Sequence, residues 1–157
     1  MTTILEKKDG KPSLMLGGLF AKEARPIDNR FLDDFKIGAV LVVGAELGDL
    51  VSTQSKGQPQ MYMHIKALDD PSFRLCNFFQ LTREFIRCAI ENGLTVLVCC
   101  AQGISRSSAV VVDYLVSRGG PFEGRGVASV IRYVQSKRPQ VNPNAGFVEQ
   151  LCDLHGE

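Results

Sequence analysis

A cysteine and an arginine six residues apart carry the strongest chemical signal in the sequence. Cys100 ends an apolar run that is typical of a buried strand, and Arg106 opens an apolar pattern with helical spacing. A short loop between a strand and a helix can turn its successive backbone N–H groups toward one anion, and the positive end of the helix dipole adds to the attraction. The pattern therefore predicts a phosphate-binding loop with a thiol beneath it.

The side chains of this loop have the types that phosphate binding and nucleophilic attack require. A cysteine near a helix N-terminus and beside an arginine is held largely as the nucleophilic thiolate. Arg106 supplies a planar fork of donors that matches two phosphate oxygens, and the Ser107 hydroxyl can donate to the thiolate. Gly103 permits backbone conformations that a side chain would block. The predicted phosphate-binding residues, in which Ser105 braces the loop, are Ala101, Gln102, Gly103, Ile104, Ser105 and Arg106.

Two adjacent carboxylates upstream of the loop are candidates for a general acid. Asp69 and Asp70 follow a predicted strand, and either could swing over the loop from there. A carboxyl group near a bound phosphate tends to keep its proton, which suits the protonation of a leaving alkoxide or phenoxide. Water would then attack the phosphocysteine formed at Cys100, with the same aspartate as base. These residues predict hydrolysis of a phosphate ester, and the chemistry requires no metal and no other cofactor.

Composition and charge narrow the function classes further. The chain has 157 residues, of which 45% are hydrophobic and 22% charged, with a formal net charge of +1, values typical of one globular domain. This charge gives no support for nucleic-acid binding. No apolar run is long enough to span a membrane and the first residues lack a signal-peptide core, so we expect a cytoplasmic protein that could also enter the nucleus. Five cysteines without framework spacing and two histidines predict neither a disulfide scaffold nor a zinc site.

Alternating strand and helix patterns predict an α/β fold with a central, mainly parallel, twisted sheet flanked by helices. Strands are predicted at residues 14–16, 37–43, 60–65 and 95–99, and helices at residues 28–36, 74–92, 107–117, 126–137 and 144–154. Asp28 and Asn144 are the predicted N-caps of the first and last helices. We expect one domain over residues 12–157, a loose lead-in over residues 1–11, and a loop at residues 52–60.

These motifs resemble a known family, the small atypical dual-specificity phosphatases of the cysteine-based protein tyrosine phosphatase superfamily. The matching segments are the Cys-x5-Arg-Ser loop at residues 100–107, the general-acid segment at 65–69, the opening strand and turn at 12–20, and the closing signature at 142–147 with Gln150 and Leu151. The resemblance implies that Asp69, rather than Asp70, is the general acid and that Asn144 supports the phosphate loop. It also implies a shallow pocket for phosphotyrosine and phosphoserine or phosphothreonine, with phosphorylated proteins, protein kinases among them, as partners.

Cys99 departs from the family pattern, which usually has a histidine immediately before the nucleophile. That histidine helps to orient and acidify the thiol, so its replacement points to an alternative function, a weakly active or inactive pseudophosphatase that binds phosphoproteins. Cys99 itself is expected to be a small core residue at a strand end. A second interpretation is redox protection, in which Cys99, Cys76 or Cys88 captures oxidised Cys100 as a disulfide.

Other interpretations of the loop are less favoured. A phosphoinositide or an RNA 5′-phosphate as substrate is disfavoured because residues 101–104 include no basic side chain. A thiol-redox enzyme or sulfur transferase would leave Ser105, Ser107 and the Asp69 loop without a role. We expect His64 and His155 at surface or strand-end positions. Lys137 and Arg138 are expected to be solvated charges at a helix end.

Overall fold

Five strands in the described part of the chain form one sheet. The computed structural model describes residues 1–19, 29–47 and 59–157. The strands are β1 (Thr2–Glu6), β2 (Pro12–Gly18), β3 (Ile37–Val43), β4 (Met61–Ile65) and β5 (Thr95–Cys100). They lie in the order β1-β2-β5-β3-β4, and every neighbouring pair is parallel except the antiparallel β1–β2 pair at one edge. The predicted mainly parallel sheet is confirmed.

Helices cover the two faces of this sheet unequally. They are α1 (Asn29–Asp34), α2 (Phe79–Glu91) with a preceding 3-10 turn (Leu75–Phe78), α3 (Arg106–Val116), α4 (Val127–Lys137) and α5 (Ala145–His155). Helices α2 to α5 contribute to the larger core on one face, and α1 contributes to a smaller core on the other. Helix α3 is buried along its whole length, which fixes the position of its first residues at the end of β5.

Strand β5 is the central element that carries the candidate loop. All six of its residues are buried, as expected for a parallel strand that is covered on both faces. Alternate side chains point to opposite faces, so Val96 and Val98 join the larger core while Leu97 and Cys99 join the smaller one. The prediction that Cys99 is a core residue is confirmed, and the loop that follows β5 lies at the carboxyl edge of the sheet.

The prediction of a loose lead-in over residues 1–11 is wrong. Thr2–Glu6 form β1, with Thr2 opposite Leu16 on β2. Ile4 is almost fully buried, and its carbonyl accepts a hydrogen bond of 2.8 Å from the Tyr133 hydroxyl. A short edge strand has polar residues on its exposed side, so its sequence looks like that of a coil until its partner strand is known.

The helix ends agree with the sequence patterns to within a few residues. Helix α1 ends two residues before the predicted Lys36, which takes the left-handed conformation with φ 54° and stops the helix. Asn144 caps α5 as predicted, because its side-chain oxygen accepts a hydrogen bond from the Phe147 N–H at 3.0 Å. The predicted cap Asp28 and residues 52–58 of the predicted loop lie outside the described residues.

A buried ionic cluster connects α2, α3 and α5. Asp113 is fully buried; its Oδ1 lies 2.9 Å from His155 Nε2, and its Oδ2 lies 3.3 Å from Arg83 Nε. Burial raises the pKa of Asp113, while the hydrogen bond from His155 and the charge of Arg83 oppose this rise. The expectation of a surface position for His155 is therefore wrong, since its side chain is only 15% exposed.

Replacing Asp113 by alanine should lower the free energy of unfolding by about 2 kcal/mol. The loss arises because Arg83 loses its counter-charge and His155 loses its hydrogen-bond partner, and solvent access at Arg83 keeps the loss below the cost of a fully buried pair. Urea unfolding at pH 7 measures it, with Asp153→Ala, an exposed aspartate on α5, as the matched control. Equal losses in the two variants would show that the cluster contributes nothing.

Candidate active site

The loop between β5 and α3 approaches the end of β2 backbone to backbone. Gly103 has φ 67°, in the left-handed region that favours glycine. A Cβ at this position would lie 2.5 Å from the carbonyl carbon of Gly17, and a Cβ on Gly18 would lie 2.2 Å from the carbonyl carbon of Gln102. The predicted requirement for glycine at position 103 thus has a steric cause as well as a conformational one.

The Cys100 thiol lies beneath this loop. The Gly103 backbone N–H donates to Sγ at 3.2 Å, and Ser107 Oγ lies 3.0 Å from Sγ. Cys100 is only 2% exposed. The sulfur thus has an amide N–H directed at it and a hydroxyl within hydrogen-bond distance. The structure therefore brings together Cys100, Gly103 and Ser107, as the sequence predicted.

The thiol lies in a cavity of about 300 Å³. Its lining residues are Glu46, Asp69, Cys100, Ala101, Gln102, Ile104, Ser105 and Arg106. Of the lining residues that belong to the described part of the chain, Arg106 is the one with a basic side chain. The cavity therefore has the size for a phosphate group at a side-chain tip, with Arg106 in its wall.

Arg106 is fixed in the cavity wall by a carboxylate that the sequence analysis missed. Its Nη1 and Nη2 donate to the two carboxylate oxygens of Glu46 at 2.6 and 2.5 Å, and Nη1 also donates to the Ala67 carbonyl at 3.1 Å. The hydrogen bond from Arg106 lowers the pKa of Glu46, so the pair stays ionised at neutral pH. Glu46 follows β3, the neighbour of β5, and its discovery from sequence would have required the strand order.

Asp69, and not Asp70, lies against the loop. Asp69 Oδ1 accepts hydrogen bonds from Ser105 Oγ at 2.7 Å and from Asn144 Nδ2 at 2.9 Å. The Asp70 carboxylate instead accepts from the backbone N–H and the hydroxyl of Ser72 at 2.7 and 2.5 Å. The Asn144 N–H also donates to Ser105 Oγ at 3.0 Å. Asn144 therefore connects the start of α5 to both the loop and the candidate acid.

Arg138 is part of the site, which corrects its assignment as a solvated charge. It is 6% exposed and follows α4 directly. Its Nε donates to the Gly103 carbonyl at 3.0 Å and its Nη2 to the Gln102 carbonyl at 3.0 Å, while Nη1 donates to Thr2 Oγ1 at 3.3 Å. A Lys-Arg pair at a helix end is usually solvated, and only the packing of α4 against the loop and β1 buries this arginine.

The other cysteines lie away from the cavity lining. Cys99 is buried in the smaller core, where its Sγ lies 3.7 Å from the Leu41 carbonyl, and burial raises its pKa. Cys76 is half-buried in the 3-10 turn, and Cys88 is exposed on α2. All five cysteines are free thiols. Capture of an oxidised Cys100 by one of them stays a prediction.

The described residues contain neither a metal-binding cluster nor a helix that could span a membrane. Among residues 1–19, 29–47 and 59–157, no group of three or more histidine, cysteine or acidic side chains could hold a metal ion. Within the same ranges, none of the helices combines the length and the apolar character that a membrane span needs.

Comparison with known sequences gives a consistent family. A sequence model described as the catalytic domain of dual specificity phosphatases matches residues 19–156. Dual specificity protein phosphatase 1 of Arabidopsis thaliana is 32% identical over 149 residues, which cover 94% of this chain and 71% of that protein. The serine/threonine/tyrosine-interacting protein of Mus musculus is 40% identical over 90 residues, which cover 57% of this chain and 39% of that protein. The matched segment is thus well under half of the mouse relative.

Solved structures show the same fold over almost the whole chain. Human DUSP28 superposes with a TM-score of 0.78 at 25% identity, covering 99% of this chain and 96% of that one. The human tyrosine phosphatase-like serine/threonine/tyrosine-interacting protein superposes with a TM-score of 0.77 at 29% identity, covering 99% and 95%. From its matched catalytic-domain sequence and its phosphatase fold, this chain belongs to the dual specificity phosphatase family, among the small atypical members of the cysteine-based protein tyrosine phosphatases.

Proposed function

We propose that this chain hydrolyses phosphate monoesters on the tyrosine and the serine or threonine side chains of phosphorylated proteins. One observation carries the proposal. The Cys100 sulfur lies under the loop with an amide N–H directed at it and the Ser107 hydroxyl within hydrogen-bond distance, and Arg106 and Asp69 line the same cavity. A phosphate in this cavity would meet a nucleophile, a set of donors and a proton source within one small volume.

The first step transfers the phosphoryl group to sulfur. A lone pair of the Cys100 thiolate attacks phosphorus, the phosphorus–oxygen ester bond breaks, and Asp69 gives its proton to the leaving oxygen. Loop N–H groups and the Arg106 guanidinium stabilise the charge on the three remaining oxygens. Arg106 Nε is buried and has no hydrogen-bond partner among the described residues, so this donor is available to a phosphate oxygen. The products are a free hydroxyl side chain and a phosphocysteine.

The second step returns the enzyme to its starting state. A water molecule attacks the phosphocysteine, Asp69 takes its proton, and the sulfur–phosphorus bond breaks to release inorganic phosphate. The Ser107 hydroxyl, 3.0 Å from Sγ, is placed to stabilise the departing thiolate. The overall reaction consumes one water molecule and no cofactor.

The surroundings of the cavity support phosphoproteins as substrates, and the family resemblance adds protein kinases to the proposed ones. Leu68, beside Asp69 in sequence, is 56% exposed, so an apolar surface is available next to the candidate acid for an aromatic ring or an aliphatic side chain. Residues 101–104 present no basic group to a second phosphate. This favours a single phosphate ester on a protein over a polyphosphorylated inositol ring or an RNA end.

Binding without hydrolysis is the second candidate function. The specific observations behind it are the uncharged Cys99 beside the nucleophile and the 29% identity to a human protein described as tyrosine phosphatase-like. Assays of phosphotyrosine and phosphothreonine peptides, with release of inorganic phosphate as readout, separate the candidates. Release from both peptides is the expected result, and peptide binding without release would select the binding function.

Asp69→Asn should lower kcat/KM for phenyl phosphate, a poor leaving group, by roughly 10²-fold. The same substitution should have little effect on kcat/KM for an activated aryl phosphate, because a good leaving group departs without a proton. Steady-state kinetics with the two esters measure the difference. Asp70→Asn, whose carboxylate is bound to Ser72, is the matched control and should resemble the wild type. Equal effects on the two esters would remove Asp69 from the acid role.

A further inference from the structure

The Arg138 guanidinium is a buried cation that neither step of the proposed reaction uses. It donates to the carbonyls of Gln102 and Gly103 and to the Thr2 hydroxyl. Among the described residues, no carboxylate forms an ion pair with it. A charge removed from water normally requires a counter-charge or a dense set of hydrogen bonds. A negative group near Arg138 could therefore balance its positive charge.

The two arginines of the site differ in this respect. Arg106 pairs with the Glu46 carboxylate through Nη1 and Nη2, so it has a counter-charge among the described residues. Burial lowers the pKa of Arg138, and the thiolate of Cys100 opposes this effect. Cys99 adds no charge, because burial in the opposite core keeps its thiol protonated. A negative charge on Cys100 would therefore interact favourably with Arg138.

Arg138 also determines which way the loop peptides face. The C=O and N–H bonds of a planar trans peptide unit point in opposite directions. Holding the carbonyls of Gln102 and Gly103 toward Arg138 turns the N–H groups of Gly103 and Ile104 away from it. The hydrogen bond of 3.2 Å from the Gly103 N–H to Cys100 Sγ agrees with this orientation. The side chain of Arg138, which directly follows α4, therefore orients two N–H groups of the loop, those of Gly103 and Ile104.

We propose that Arg138 is a positioning residue that locks the loop in its anion-binding form and balances the charge of the Cys100 thiolate. The proposal rests on the proposed function, in which Cys100 is the nucleophile. It also assigns a role to β1, whose Thr2 hydroxyl accepts a further hydrogen bond from the guanidinium. The sequence element expected to be a loose lead-in thus covers the group that orders the loop.

Alkylation of Cys100 by iodoacetamide tests the proposal, with peptide mapping to separate the five cysteines. In Arg138→Met the alkylation rate of Cys100 should fall roughly tenfold at pH 6, because the thiolate is less stabilised and a smaller fraction of Cys100 is ionised. At pH 9 the rates of variant and wild type should converge. Arg132→Met, an exposed arginine on α4, is the matched control and should alkylate like the wild type at both values of pH.

Arg138→Lys separates the two parts of the proposal. Lysine keeps the charge and loses the fork, so alkylation at pH 6 should recover most of its rate, while protection of Cys100 by inorganic phosphate should need a severalfold higher phosphate concentration. Unchanged alkylation and phosphate protection in a folded Arg138→Met protein would overturn the proposal. Should that variant fail to fold, an unchanged phosphate protection in Arg138→Lys would overturn it instead.

Alkylation requires no turnover, so the outcomes for Arg138 and for the proposed function are distinguishable. A wild-type chain that hydrolyses no phosphate ester, together with the expected alkylation change in Arg138→Met, would refute the function and leave the positioning role in place. Normal hydrolysis by the wild type, with unchanged alkylation in Arg138→Met, would refute the positioning role and leave the proposed function in place.

Discussion

Cys100→Ser should lose almost all turnover, with kcat on p-nitrophenyl phosphate reduced by roughly 10⁴-fold or more. A serine hydroxyl is not ionised at neutral pH, and Asp69 carries the proton for the leaving group in the first step, so no effective nucleophile remains for that step. The loop N–H groups and Arg106 are unchanged, and inorganic phosphate should therefore bind with affinity close to that of the wild type. Steady-state kinetics and calorimetric titration with phosphate measure the two quantities.

Cys88→Ser is the matched control for this variant, because Cys88 is an exposed thiol on α2. Its turnover should equal that of the wild type. Undiminished turnover in Cys100→Ser would refute the covalent mechanism. Phosphate binding by both proteins, with no turnover by the wild type, would instead identify the chain as a binding module.

Arg106→Lys should reduce kcat/KM for the same ester by roughly 10³-fold. Lysine retains the positive charge, but it cannot present two parallel donors to the phosphate oxygens or form the bidentate pair with Glu46. The loss should fall on the transition state, in which phosphate charge must be held in a fixed geometry. Steady-state kinetics measure it, and alkylation of Cys100 checks that the thiol remains reactive.

Arg118→Lys supplies the control for Arg106→Lys. Arg118 is exposed beyond the end of α3, and its replacement by lysine should leave kcat/KM unchanged. A comparable loss in both variants would point to a general effect of charge or stability. A small loss in Arg106→Lys would show that the phosphate is held mainly by the loop amides.

The loop could be predicted from the sequence because its parts are contiguous. The buried run before Cys100, the glycine at 103 and the helical pattern after Arg106 all lie within one short segment. The residues alone left Asp69 and Asp70 as equal candidates for the acid. A local cause separates them in the structure, since Asp70 forms a turn with Ser72, two residues later, and Asp69 is left to face the loop.

Glu46 and Arg138 could not be predicted in the same way, because their positions depend on long-range packing. Glu46 meets Arg106 because β3 lies beside β5 in the sheet. Arg138 reaches the loop because α4 ends against it and β1 covers the contact. In the sequence, neither residue can be distinguished from an ordinary charged residue on the surface. The elements that bring them inward are separated from the loop by dozens of residues along the chain.

The central claim, that Cys100 carries the phosphoryl group, is tested most directly by trapping the intermediate in Asp69→Asn. With an activated aryl phosphate the first step needs no acid, whereas the second step loses its base, so phosphocysteine should accumulate. Rapid acid quenching and peptide mass spectrometry should then find one phosphoryl group on the peptide that contains Cys100, with a matching burst of released phenol. Continued phenol release with no burst and no phosphoryl group on Cys100 would contradict the account.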